Sequence, residues 1–119
     1  MGATLKSVMV TGMPEHHREF NNRFVVKAKP KAGKKCFECK SAGGDTTLFM
    51  WFQVHEHAPY WCLGSKEGVI ARMPSKDDLP PESGSWDVYP SATDHSVSAL
   101  YSLTLTPDFV GALGAVGEV

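Results

Sequence analysis

Long apolar runs are missing from this chain of 119 residues. No stretch approaches the roughly 20 apolar residues that a membrane-spanning helix needs, so membrane insertion is not expected. The first segment lacks the apolar core of a signal peptide. Ser7-Val8-Met9-Val10 is too short, and Pro14-Glu15-His16-His17-Arg18 follows it. Met1-Gly2 resembles the start of a myristoylation motif, but Lys6 stands where that motif requires Ser or Thr. The expected location is intracellular, cytoplasmic by default, or organellar if a presequence has been removed.

Catalytic signatures are equally scarce. The chain has no Gly-x-Ser-x-Gly elbow, no phosphate-cradling glycine loop and no His-Glu-x-x-His. Asp94-His95 beside Ser96 and Ser98 imitates a triad only in order, because triad geometry is spatial and not sequential. His16, His17, His55 and His57 fall in polar or turn segments and read as solvated imidazoles. The chain is therefore read as not an enzyme.

Cysteine is sparse, with three residues. Cys36-x-x-Cys39 followed by His55, His57 and Cys62 supplies zinc-type ligands. However, Phe37-Glu38 between the first two cysteines, with no glycine after them, reads as strand, which points the two sulfurs to opposite faces. The histidines lie about three strand residues away, on the order of 10 Å. Neither metal nor cofactor is expected. A Cys36–Cys62 bridge across a central strand would span about 9–10 Å, beyond disulfide reach, so the thiols read as free.

Helical periodicity is nearly absent. Only Met13–Phe20 suits a turn or two of helix, with Pro14 early and Asn21-Asn22 as the stop. What the chain has instead is strand alternation. Arg23–Lys29, Cys36–Lys40, Thr47–His55, Tyr60–Gly64 and Val69–Met73 read as strands. A later one carries Val97, Ala99, Tyr101, Leu103 and Leu105 on one face. Ser41-Ala42-Gly43-Gly44-Asp45 is the clearest hairpin signal, and residues 74–84 read as loop. The expected fold is all-β, a small antiparallel β-sandwich or a compact β-barrel built from hairpins. Residues 1–106 form one domain, and 107–119 a Gly/Ala-rich C-terminal tail.

Two features stand out as candidate binding surface. Thr47–His55 is apolar on both faces, so each face requires cover, from a second layer or from a partner. With the next turn centred on His57, Phe52 is expected opposite Cys62. Phe49, Trp51 and Trp61 then share an aromatic face that is exposed unless something packs on it. Charge is the second feature. Residues 1–40 hold nine Lys or Arg against three acids, and residues 41–119 three against ten. Lys27, Lys29, Lys31, Lys34, Lys35 and Lys40 crowd into fourteen residues, with no arginine among them.

Tyr60-Trp61-Cys62-Leu63-Gly64-Ser65 follows a lipophilic strand and precedes Leu79-Pro80-Pro81 and Ser85-Trp86-Asp87-Val88-Tyr89. With Asn21-Asn22-Arg23-Phe24-Val25 upstream, residues 10–105 resemble a small all-β module of multidomain algal and protist proteins. The resemblance implies an interaction unit with Trp61 and Trp86 in its core, and carries no activity.

The preferred expectation is a non-catalytic protein-interaction or accessory-subunit domain, docking through Phe49, Trp51 and Trp61 or through Lys31, Lys34 and Lys35. A protein partner or larger assembly is its implied context. The alternatives are a β-barrel binder of single-stranded nucleic acid, through lysines beside aromatics, and a carbohydrate-binding module.

Overall fold

A computed structural model describes residues 4–40 and 46–110. Eight antiparallel strands run in chain order around a closed barrel: β1 (Thr4–Thr11), β2 (Arg23–Val26), β3 (Phe37–Lys40), β4 (Thr47–His55), β5 (Ala58–Ser65), β6 (Gly68–Pro74), β7 (Ser83–Val88) and β8 (Ala99–Val110). Each strand pairs with its sequence neighbours, and β8 closes on β1 from Thr4↔Val110 to Thr11↔Thr104. Of the two architectures expected, the barrel is the one formed. Closure leaves no unpaired sheet edge, which removes the usual template for aggregation. No helix among the described residues is long and apolar enough to cross a membrane.

Alternation sends one side chain in two to the axis. Phe24, Phe37, Leu48, Met50, Phe52, Trp61, Leu63, Trp86, Leu103 and Leu105 fill the interior and are all buried. Each large side chain removed from water this way stabilises the fold by about 1.5–3 kcal/mol. Trp61 and Trp86 are among the fully buried side chains.

The short helix expected at Met13–Phe20 is a 3-10 helix, Glu15–Phe20. Asn21 closes the segment by accepting from the Met13 amide (2.8 Å) and donating to the Met13 carbonyl (3.1 Å). Phe20 is buried and stacks on Phe24. His17 corrects the expectation of a solvated imidazole. It is buried, with Nε2 donating to the Tyr89 carbonyl at 2.8 Å, which ties the helix to the end of β7.

Several strands depart from their expected limits, and β7 begins at Ser83, inside the 74–84 span read as loop. β1 was not recognised from the sequence, and β8 continues past Leu105 to Val110, so the first residues of the expected tail pair with β1. The rest of that tail, and the Ser41–Asp45 turn, lie outside the described residues. The flanking strands β3 and β4 do pair antiparallel, Phe37↔Met50 to Lys40↔Thr47.

The β4–β5 register differs from expectation by one residue. Phe52 faces Trp61, and His55 faces Ala58. The turn is the two-residue type, with Glu56 and His57 both at positive φ (51° and 70°). A one-residue slip inverts every side chain. Trp61 therefore points into the barrel, not onto the face shared by Phe49 and Trp51.

Candidate functional site

With Leu48, Met50 and Phe52 inside, the outward residues of β4 are Thr47, Phe49, Trp51 and Gln53, all partly buried. Among the described residues no second sheet covers them. Their partial cover comes from the segment between β2 and β3. There Lys31 and Lys34 bridge through paired backbone hydrogen bonds, 2.9 and 3.1 Å, around a tight turn at Ala32-Gly33 (φ 54° and 78°). This lysine hairpin lies against the outer face of β4. Lys31 Nζ stands 6.0 Å from the Trp51 ring centre, and Lys27 Nζ 5.1 Å from that of Phe49. Each contact sets a cation over the negative face of a ring.

Parts of the two surfaces that the sequence offers as alternatives thus meet, Phe49 and Trp51 from one and Lys31 from the other. Between hairpin and barrel wall runs an open groove of about 450 Å³, lined chiefly by Lys27, Lys31, Phe49, Trp51, Gln53, Ser65 and Lys66. A second hollow of about 420 Å³ continues it past Phe49 toward Thr47, Lys66 and Glu67. Lys40 adds a cation beside Thr47, donating to its hydroxyl at 3.2 Å.

Trp51 is held in place from three sides. Its indole N–H donates to Gln53 Oε1 at 2.9 Å. Cys62 faces it across the ladder, buried, and Gly64 lies under the far edge of the ring. A Cβ at Gly64 would stand 3.0 Å from the outermost indole carbon and 2.2 Å from the Gly68 carbonyl oxygen. The missing side chain is what lets the ring lie against the wall.

The candidate residues divide accordingly. Phe49, Trp51 and Lys31 meet in the groove, and Trp61 does not, donating instead to the Asp77 carbonyl at 3.1 Å. Lys34 is structural. Its ammonium donates to Asp78 at 2.7 Å, 4.8 Å from the Phe52 ring centre, and so straps the hairpin to the β6–β7 loop. That hydrogen bond, with the lysine's charge, holds the Asp78 carboxyl below its ordinary range. Lys35 is exposed and reaches no acceptor among the described residues. Lys27, part of the lysine cluster in the sequence, also lines the groove, whereas Gln53, Ser65 and Lys66 are groove residues that sequence reasoning missed. The signal for them was indirect: outward alternation along β4, and a β5–β6 turn that brings Lys66 alongside.

The charge asymmetry of the sequence is partly consumed by folding. Arg23 meets Asp108 (3.6 Å), Lys34 meets Asp78, and Lys27 lies 3.9 Å from Glu38. Exposed pairs of this kind contribute little stability. Their consequence here is to leave a short basic border on the groove, not a continuous basic track.

The remaining chemistry of the sequence stays apart from the groove or is muted within it. Ser96 donates to Asp94 (2.6 Å), while His95 Nε2 donates to the Val69 carbonyl and its ring stacks on Tyr89, so serine and histidine do not meet. The cysteines are free and buried. Phe37 and Cys39 point inward and Cys36 lines the groove, which is the opposite-face arrangement expected of Cys36 and Cys39. Burial pushes the Cys62 thiol up to about 12, against a smaller downward pull from Arg72, and raises Cys39 too. Among the described residues, no three His, Cys, Asp or Glu side chains are grouped to hold a metal ion. No family model matches the chain, and no curated protein or solved structure matches it either.

Proposed function

We propose that this barrel is a non-catalytic protein-interaction domain, and that its outer groove takes an acidic segment of a partner carrying an apolar side chain. The observation that carries this reading is the merging of two features into one groove. Phe49 and Trp51 form its apolar floor, while Lys31 and Lys66 stand at its rim, with Lys27 shared with Glu38 and Lys40 beside Thr47 at one end. An apolar side chain on the aromatic floor, with carboxylates reaching the rim, satisfies both.

The same residue types serve single-stranded nucleic acid when ring faces are open for base stacking along a basic track. Here each ring has a lysine ammonium over it, and the two rings stand on one strand and not along a basic track. Trp51 has the backbone at Gly64 on one side and Lys31 near its ring, and Phe49 has Lys27 over it. Lys34, one of the two lysines flanking the hairpin tip, is already neutralised by Asp78. A protein segment is the better complement.

Trp51 reports on the groove by itself, because Trp61 and Trp86 are fully buried. Its fluorescence is followed while adding the amidated, acetylated pentapeptide Glu-Ala-Leu-Ala-Glu, its Gln-Ala-Leu-Ala-Gln counterpart, or an oligothymidylate. A saturable change with the Glu peptide that weakens with salt, and a much weaker one with the Gln peptide, is the expected result. Tighter binding of the oligonucleotide than of either peptide overturns the proposal in favour of nucleic acid.

A further inference from the structure

Next to the groove, the same outer face carries a guanidinium with no acceptor. The β4–β5–β6–β7 ladder sets Trp51 opposite Cys62, Cys62 opposite Arg72, and Arg72 opposite Asp87. Arg72 donates no hydrogen bond and makes no ion pair among the described residues, and its Nε is buried without a partner. Asp87, though directly across the ladder, does not reach it. Cys62 does not supply the missing charge either, since burial keeps its thiol protonated through the neutral range.

The head group is nonetheless positioned. Its Cζ lies over the Tyr60 ring, 4.1 Å from the ring centre, a cation–π contact that restricts where the guanidinium sits. A planar fork held over an aromatic ring is pre-organised for bidentate recognition of a carboxylate.

The geometry points to Arg72, held over Tyr60, as a carboxylate-binding position that forms the second pole of the docking surface. This rests on the groove reading and refines it. Tyr60 faces Gln53, the residue that holds the Trp51 indole, so the two poles are contiguous. Arg72 and Trp51 stand two strand spacings apart, about 10 Å at the backbone, and the guanidinium leans back over β5. In an extended segment, residues two apart lie about 7 Å from each other on one face. The partner feature is therefore an apolar residue with an acidic residue two places away on each side. One carboxylate meets the lysine hairpin and the other meets Arg72, whichever way the chain runs.

Two single-Glu versions of the pentapeptide, with Gln at either end, complete the probe set. Wild-type protein is expected to bind the double-Glu peptide several-fold more tightly than either single-Glu peptide. In Arg72→Gln that increment disappears, a loss of about fivefold, while single-Glu binding stays near wild type. An Arg72→Gln affinity equal to wild type, alongside weakened Lys31→Gln, overturns the assignment and leaves the groove reading intact. Should no peptide bind, the groove reading fails, and the Arg72 Nε–H resonance of the wild-type protein decides separately. Its displacement by sodium acetate, and not by sodium chloride at equal ionic strength, sustains the carboxylate position. An unmoved resonance refutes it.

Discussion

Gly64→Ala is the substitution whose outcome the groove wall determines most sharply. Gly64 follows a register shift in the β5–β6 ladder and approaches the Gly68 carbonyl so closely that a Cβ would sit 2.2 Å from its oxygen. No rotamer relieves that overlap, because both partners are backbone. The hairpin has to open or the ladder has to shift. Overpacking of this kind costs about 1–3 kcal/mol and more when backbone must move, so about 3 kcal/mol is the working value. For a domain of this size each kcal/mol lowers Tm by about 3–6 °C, giving a fall of about 10–15 °C. The same Cβ presses the Trp51 ring at 3.0 Å, so the indole is displaced and its emission changes in the folded variant. Gly33→Ala is the matching control. Nothing lies within 4 Å of its Cβ, and only its φ of 78° opposes substitution, a cost of about 1–2 kcal/mol. Thermal melts followed by circular dichroism measure both. A Gly64→Ala melt at the wild-type temperature, with unchanged Trp51 emission, would refute the close approach and with it the groove wall.

Truncating either buried indole, in Trp61→Ala or Trp86→Ala, is expected to cost about 3–5 kcal/mol and unfold most of the protein, checked by denaturant titration. The Phe variants should separate. Trp61→Phe loses a bond to the Asp77 carbonyl, whereas Trp86 Nε1 is buried without a partner, so Trp61→Phe should cost at least about 1 kcal/mol more. Cys62 keeps its proton in the folded state up to about 12 against an ordinary 9.0. Stability due to this group is thus full below pH 9.0 and falls as pH rises from there toward 12, by about 1.4 kcal/mol per pH unit. Cys62→Ala should flatten that alkaline slope in chemical denaturation, and at pH 8 wild-type Cys62 should react with a thiol reagent only when unfolded. Replacing Glu56-His57 by Asn-Gly fits both positive-φ positions and should raise stability by about 1 kcal/mol, read as a higher denaturation midpoint.

Local alternation made most of the barrel legible. Thr47–His55 is β4 to the residue, and the helical turn stops at the expected asparagines. β1 was hidden because a register shift between Leu5 and Ser7 breaks its alternation, leaving Ser7 and Val8 both buried in sequence. Closure depends on β1 meeting β8 from the far end of the chain, which no local pattern encodes. Trp61 was misplaced because Glu56-His57 lacks the Asn-Gly signature of the two-residue turn it forms, and a slip of one residue exchanges the faces. Phe49, Trp51, Lys27 and Lys31 were each visible as candidates, and Lys66 was not. The meeting of rings and lysines was hidden, because it depends on a hairpin between β2 and β3 folding onto β4. Arg72 was silent, being an ordinary strand arginine until its missing acceptor is seen in three dimensions.

Charge reversal at the rim tests the docking groove most directly. In a Lys31→Glu, Lys66→Glu variant, the aromatic floor stays and the border changes sign. Trp51 fluorescence should then show loss of Glu-Ala-Leu-Ala-Glu binding and a gain of binding to Lys-Ala-Leu-Ala-Lys, which the wild-type protein rejects. Unchanged preference for the acidic peptide in a variant that melts like wild type would contradict the account.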